Sequence, residues 1–147
     1  MITDHFKLVQ LVCPHVYQKY GDFAWNFFDI RILMIEEAIS VRLGKDKIIS
    51  ANNWQEHGTF SQRGLRCPLC QLMQDVYKGG KLFMDPHAFG KAIDQDFQGM
   101  TAEEGRQYLI DNKNFWPYPF RLESSVLWIH LDVYSDGSNG KVILFNA

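Results

Sequence analysis

Residues 126–134 alternate in side-chain character one by one, and no other stretch restricts the fold as much. Successive side chains of a strand leave on opposite faces, so Leu127, Ile129, Leu131 and Val133 point one way and Trp128, His130, Asp132 and Tyr134 the other. Such a strand suits a sheet whose aliphatic face sits on helices while its second face forms a cleft wall, with an imidazole beside an aromatic ring and a carboxylate. A second strand is expected over residues 92–97, with Asp94 and Asp96 on one face and Ile93 and Phe97 on the other.

Helices to cover that sheet are legible. Over residues 24–43, Phe28, Ile32, Ile35 and Ile39 recur three or four apart and Gly44 ends the run, the pattern of an amphipathic helix. Thr101-Ala-Glu-Glu104 is a capping box opening a helix that runs to about Asn112. Residues 47–51 read as a short strand, followed by a long polar loop from Asn52 to about Arg66. Two prolines exclude helix at Trp116-Pro117-Tyr118-Pro119. The turn Asp136-Gly-Ser-Asn-Gly140 is expected to lead into a last strand, 141–145, as a C-terminal hairpin.

With 147 residues, 46% of them hydrophobic, the chain can bury one sizeable core, and residues 1–147 are expected to form a single domain. A formal charge of -2 and a pI near 6.2 leave no electrostatic surplus for gripping phosphate backbones, which argues against nucleic acid as a partner. No uncharged run approaches the roughly 20 residues that cross a bilayer, and the first residues lack the basic start and apolar run of a secretory signal. The expectation is a chain without membrane insertion, cytoplasmic at synthesis. Its three cysteines cannot all pair within one chain, which favours reduced thiols.

The chemistry concentrates in Asp85-Pro-His-Ala-Phe-Gly-Lys-Ala-Ile-Asp94 and in Trp128-Ile-His-Leu-Asp132. His87, Asp94 and His130 together are two imidazoles and a carboxylate, the ligand count of a zinc site that keeps one position open. Gly90 lets the chain turn sharply between His87 and Asp94, so that a loop histidine and a strand aspartate can converge on one ion. Cys13-Pro-His15 and Cys67-Pro-Leu-Cys70 would make a second, structural zinc site of three thiolates and an imidazole if the N-terminal segment packs on the long loop. The plainer alternative is three buried thiols acting as small apolar residues. Among the aromatic residues that could line a cleft, Trp54, Phe60, Trp116, Tyr118 and Trp128, only Trp128 is placed near His130 by strand parity.

At these residues the sequence resembles the zinc D-Ala-D-Ala carboxypeptidase and peptidoglycan endopeptidase family, which shares its fold with the Hedgehog signalling domain. The family pattern Ser-x-His-x-x-Gly-x-Ala-x-Asp, followed by a late strand histidine, is matched by His87, Gly90, Ala92, Asp94 and His130. His5-Phe6-Lys7-Leu8, the helix ending at Leu43-Gly44, the strand leading to Asn52-Asn53-Trp54 and Trp128-Ile129-His130 follow in the family's order, so the likeness covers nearly the whole chain.

The resemblance implies an α+β fold, a small, mostly antiparallel sheet flanked by helices with zinc on its open face. It also implies a metallopeptidase that hydrolyses amide bonds in peptidoglycan stem peptides or D-Ala-containing peptides. An endolysin released to the cell wall by a phage holin and a cytosolic dipeptidase of the carboxypeptidase type both fit.

Three positions depart from the family. Asp85 stands where a Ser or Thr supports the site. Leu127 stands three residues before the last His, where many members carry the acid that moves the proton. Glu123 could supply that group if the chain bends at Ser124-Ser125; Asp132 is the second candidate, although about 7 Å of strand separates it from His130 and it could instead support that ligand. The early strand lacks the family's substrate-binding Arg, which leaves Arg63, and after it Arg66, to hold a substrate carboxylate. The competing expectation is a binding module of the same fold that keeps zinc and has lost its base.

Overall fold

The computed structural model describes residues 3–44, 47–80, 82–135 and 139–146. Helices α1 (Leu8–Leu11), α2 (Pro14–Tyr20) and α3 (Ile30–Leu43) precede strand β1 (Ile49–Ser50). After the long loop come α4 (Gln71–Lys78), β2 (Ala92–Phe97), α5 (Ala102–Asp111), β3 (Phe120–Glu123), β4 (Ile129–Asp132) and β5 (Val142–Phe145). The strands form one α+β sheet in the order β1-β2-β4-β3-β5, antiparallel except between β3 and β5.

The expected helix over 24–43 divides in two. Residues Gly21–Phe27 form a 3-10 helix, Phe28 is extended, and α3 starts after Asp29, whose carboxylate accepts from the Arg31 N–H at 3.0 Å. An aspartate at this position satisfies an otherwise orphaned N–H and starts a new helix. From there Ile32, Leu33, Ile35 and Ile39 are buried in one core with Ile93, Phe97, Leu122, Ile129 and Leu131. The capping box of α5 forms as expected, with Thr101 Oγ1 accepting from Glu104 N and Glu104 Oε2 accepting from Thr101 N.

The expected C-terminal hairpin does not form. β4 is hydrogen-bonded along both edges, to β2 and to β3, so β5 joins the outer edge of β3 in parallel. Residues 136–138 of the turn proposed there lie outside the described residues. The strand expected over 126–134 is confined to β4, because Arg106 Nη1 holds the carbonyls of Val126 (3.1 Å) and Trp128 (2.9 Å) in a bend entered through Ser125 at φ 66°. Strand parity consequently fails at Leu127, which is 91% exposed, while Ile129, Leu131 and Val133 are buried as expected.

The long loop is tied to the N-terminal segment. Asn52 Nδ2 and Trp54 Nε1 both donate to the Val12 carbonyl, at 3.0 and 3.1 Å, and Asn52 Oδ1 accepts from Arg63 N at 2.8 Å. Leu65 N donates to Leu11 O at 2.7 Å and Cys13 N to Leu65 O at 3.1 Å, a one-pair parallel ladder. Gly64 is required there, since a Cβ would overlap the Leu11 carbonyl. Among the described residues no helix is long and apolar enough to cross a membrane.

Candidate metal centres on the sheet and loop

His87 sits in a 3-10 turn, Pro86–Phe89, that Asp85 caps by accepting from the His87 N–H at 2.9 Å. The turn ends at Gly90 with φ 62°, where a Cβ would overlap the Phe27 carbonyl, so glycine alone permits both the left-handed backbone and the close approach. Two residues later the chain enters β2, and the register of β2 on β4 sets Asp94 directly opposite His130. Directly opposed residues share a face. The loop histidine and the two strand residues thus meet, as the spacing suggested.

The three donor atoms converge. His130 Nδ1 lies 2.8 Å from Asp94 Oδ1 and 3.3 Å from His87 Nε2, and His87 Nε2 lies 3.4 Å from Asp94 Oδ1. The outward nitrogens are held by other groups: His87 Nδ1 donates to the Gly64 carbonyl at 2.9 Å, and His130 Nε2 donates to Asp132 Oδ2 at 3.1 Å. With a cation in place those partners fix the tautomers, His87 Nε2 and His130 Nδ1 presenting their lone pairs to it; with none, His130 takes up a proton and its Nδ1 donates to Asp94 Oδ1 instead. His87, Asp94 and His130 are all buried, and as a set they could hold a metal ion.

Their electrostatics follow from that arrangement. Burial would raise the Asp94 carboxyl, but the charge of His87 and the hydrogen bond from His130 outweigh it and hold the acid well below the usual carboxylate range. Burial would lower His130, yet Asp132 and Asp94 raise it to about 9.

Asp132 is occupied on all sides. It is fully buried, accepts a two-point contact from Arg121 (Nε 2.9 Å, Nη2 3.0 Å), and accepts the Tyr134 N–H at 2.9 Å. It is placed to orient His130 rather than to exchange protons with a substrate, the supporting role left open for it.

Glu123 lies at the end of β3. The register pairs Arg121 with Asp132 and Leu122 with Leu131, so continuing it by one residue sets Glu123 level with His130. Half-buried, it lines a cavity of about 470 Å³ together with His87, Asp94, His130, Arg121 and Trp128. Leu72, Val76, Phe83 and Met84 make the cavity's apolar wall. The helix that carries Leu72 and Val76, α4, is missing from the sequence reading, although these two, and Met73 and Tyr77, are spaced four apart before Gly79-Gly80. Arg121 was missed too, because its partner on the neighbouring strand is visible only once the register is known.

The two arginines named for a substrate carboxylate already face carboxylates. Arg63 pairs with Asp96 and stacks 3.6 Å over the Phe60 ring. Arg66 bridges Asp85 (3.1 Å) and the second oxygen of Asp94 (2.8 Å). Both border a neighbouring hollow of about 510 Å³ that shares Arg66, Leu72, Asp94 and Trp128 with the first. Of the aromatic residues, Trp128 lines both hollows and Phe60 the second, whereas Trp116 is core and Trp54 anchors the loop.

Cys13, His15, Cys67 and Cys70 form a separate cluster that could hold a metal ion, with one donor atom from each lying within 4.8 Å of the others. Cys67 Sγ is 3.6 Å from His15 Nδ1 and 3.9 Å from Cys70 Sγ, and Cys70 Sγ is 3.9 Å from His15 Nδ1; all three cysteines are free thiols. The contact with Cys70 draws the Cys13 thiol down to about 5, and the same contact pushes Cys70 up. No family model, no curated protein and no solved structure matches this chain, so the residues themselves carry the functional argument.

Proposed function

We propose that the protein is a zinc metallopeptidase with a Hedgehog/DD-peptidase-like fold, hydrolysing amide bonds in peptidoglycan stem peptides or related D-Ala-containing peptides. One observation carries the reading: two imidazole nitrogens and a carboxylate oxygen converge at 2.8–3.4 Å on the cleft face of the sheet, with Glu123 on the adjoining strand of the same cavity. The donors suit zinc, whose bonds of about 2.0–2.1 Å to nitrogen and oxygen put tetrahedral ligands about 3.3 Å apart. His87, Asp94 and His130 would hold it. Bound zinc would supply Lewis-acid polarisation of the scissile carbonyl and activation of the attacking water.

The chain's own groups account for the remaining work. Glu123 takes the proton from the attacking water and returns it to the leaving amine, the shuttle that Leu127 cannot provide from its solvent-facing position. Asp132, held by Arg121, fixes the His130 ring. Trp128 and the wall of Leu72, Val76, Phe83 and Met84 pack the peptide and exclude water.

Two features support cleavage within a longer peptide, as in an endolysin, over removal of a terminal residue. Two hollows meet at Asp94 and Trp128, and together they offer room for more substrate than one terminal residue. The arginines bordering them, Arg63, Arg66 and Arg121, each face a carboxylate of the protein rather than standing ready for a free substrate carboxylate.

The test is release of new amino groups from purified peptidoglycan by zinc-loaded protein at neutral pH, beside Glu123→Gln. Turnover in the wild type that is lost in Glu123→Gln with zinc retained supports the enzyme. No amine released by either protein, from peptidoglycan or from D-Ala-D-Ala peptides, sinks the reading in favour of a zinc-bearing binding module.

A further inference from the structure

We infer that Cys13, His15, Cys67 and Cys70 bind one tetrahedral zinc ion whose work is to position the histidine site, by fixing the 64–66 segment that lies between the two clusters. The metal-binding half stands on the sulfur and nitrogen geometry alone; the positioning half rests on the zinc reading of His87, Asp94 and His130 given above.

The geometry is that of a ligand shell. Zinc bonds of about 2.3 Å to sulfur and about 2.0–2.1 Å to nitrogen place tetrahedral ligands about 3.8 Å (S···S) or about 3.6 Å (S···N) apart; here the Cys67–Cys70 sulfurs are 3.9 Å apart and lie 3.6 and 3.9 Å from His15 Nδ1. The cysteines are brought together by elements remote in sequence: Cys13 precedes α2, Cys70 precedes α4, and Cys70 N closes the Cys-x-x-Cys turn on Cys67 O at 2.9 Å. Three soft thiolates and an imidazole select zinc over magnesium or calcium. Binding sends the thiol protons to solvent, which makes it stronger as pH rises. The ion would close the long loop between Cys13 and Cys67, where a cross-link removes the most chain entropy.

The physical link to the other site is short. Cys67 follows Arg66, whose guanidinium bridges Asp85 and Asp94 and whose N–H donates to His87 O at 3.2 Å. Two residues further back, the Gly64 carbonyl accepts from His87 Nδ1, at a position where Gly64 is pressed on Leu11. Cys13 continues the same N-terminal segment, its N–H bonded to Leu65 O. One ion holding Cys13 and Cys67 therefore fixes, at Leu65 through Cys13 and at Arg66 through Cys67, the segment that orients His87 and neutralises one oxygen of Asp94. Partners of this kind, one step removed from a metal, change its affinity by roughly 10–100-fold.

Cobalt(II) titration of metal-free protein tests both halves, because thiolate-to-cobalt charge transfer absorbs in the near ultraviolet and an imidazole–carboxylate site gives none. Wild type should take up two equivalents, one with the thiolate band; the double variant His87→Ala/His130→Ala should keep that equivalent and Cys67→Ser should lose it. In Cys67→Ser, zinc at the histidine site should bind at least about tenfold more weakly, and Cys67→His, which returns a ligand, should recover it. A wild-type protein without the thiolate band overturns the metal site, and an unchanged histidine-site affinity in Cys67→Ser overturns the positioning role. Should Cys67→Ser fail to fold, thiol reactivity of wild type decides the first half: thiols protected until a chelator removes zinc support it, and thiols reactive in fully zinc-loaded protein overturn it. Two bound metals with no peptide hydrolysis would count against the peptidase alone.

Discussion

Asp94 and Gln95 are neighbours on β2 facing opposite sides of the sheet, and the two sides treat a buried acid in opposite ways. On the cleft side Asp94 is 6% exposed, and its imidazole neighbours hold it well below the ordinary carboxylate range against the pull of burial. On the helix side Glu36 is fully buried, its contact is the neutral Gln95 amide at 2.9 Å, and burial pushes it up to about 8. Depth is similar on the two sides, so opposite charge within reach, not burial, decides which acid stays ionised. Among the described residues Glu36 Oε2 and Gln95 Oε1 have no hydrogen-bond partner. A proton on Glu36 supplies the donor that this pair lacks.

The sharpest way to break the cleft side is His130→Ala. It removes a proposed metal donor and the contact with Asp94, and peptide hydrolysis should fall by at least about a thousandfold. Elemental analysis should show one zinc fewer; full retention of metal would show that the ion is held elsewhere. Next comes Glu123→Gln, which leaves the donors intact: turnover should fall by roughly 10²–10⁴ with zinc unchanged. An unaltered kcat would remove Glu123 from the chemistry.

A smaller effect is expected from Asp132→Asn, which keeps the shape of the Arg121–His130 bridge and loses its charge. Competitive chelator titration should give zinc about 10–100-fold weaker at the histidine site; equal affinity would show that Asp132 serves packing alone.

The mildest change tests the helix side. Glu36 is neutral in the native state up to about 8 but ionises from about 4.5 when unfolded, so wild-type stability should fall as pH rises through that interval, by up to about 1.4 kcal/mol per pH unit. Glu36→Gln should abolish that slope and gain stability relative to wild type as pH rises. In metal-free protein a second decline should persist, since His130 is raised from 6.5 to about 9 and its stabilisation, full below 6.5, is lost as pH climbs through that range. Urea midpoints at acid and alkaline pH measure both, and identical slopes for wild type and Glu36→Gln would mean that Glu36 is ionised in the fold.

Local signals were readable where one residue's chemistry suffices. Thr101 and Glu104 specify a helix start because the two side chains satisfy each other's backbone within one turn. Gly90 marks a tight reversal because only glycine tolerates its φ at that contact. The candidate ligand set His87, Asp94 and His130 was visible as a pattern, and the facing positions of Asp94 and His130 agree with the parity of two short strands.

Less legible was anything that depends on which edge is free. The placement of β5 beside β3, against the expected hairpin, followed from β4 having both edges filled. The exposure of Leu127 followed from Arg106 reaching across from α5 to take two carbonyls that a strand would have used. Arg63 and Arg66 look like substrate anchors in sequence, yet long flexible cations settle on the nearest carboxylates, here the part-exposed Asp96 and the buried Asp85 and Asp94.

By itself, then, the sequence determined the alternation about His130, the capping box at Thr101 and the two sets of candidate metal ligands, because these depend on spacing and on the chemistry of single residues. Only the tertiary structure decided the strand order, the partners of each charge and the placing of residues 64–66 between the two clusters, because hydrogen-bonding edges and buried charges are satisfied by whatever the fold brings within a few ångströms, whatever its distance along the chain.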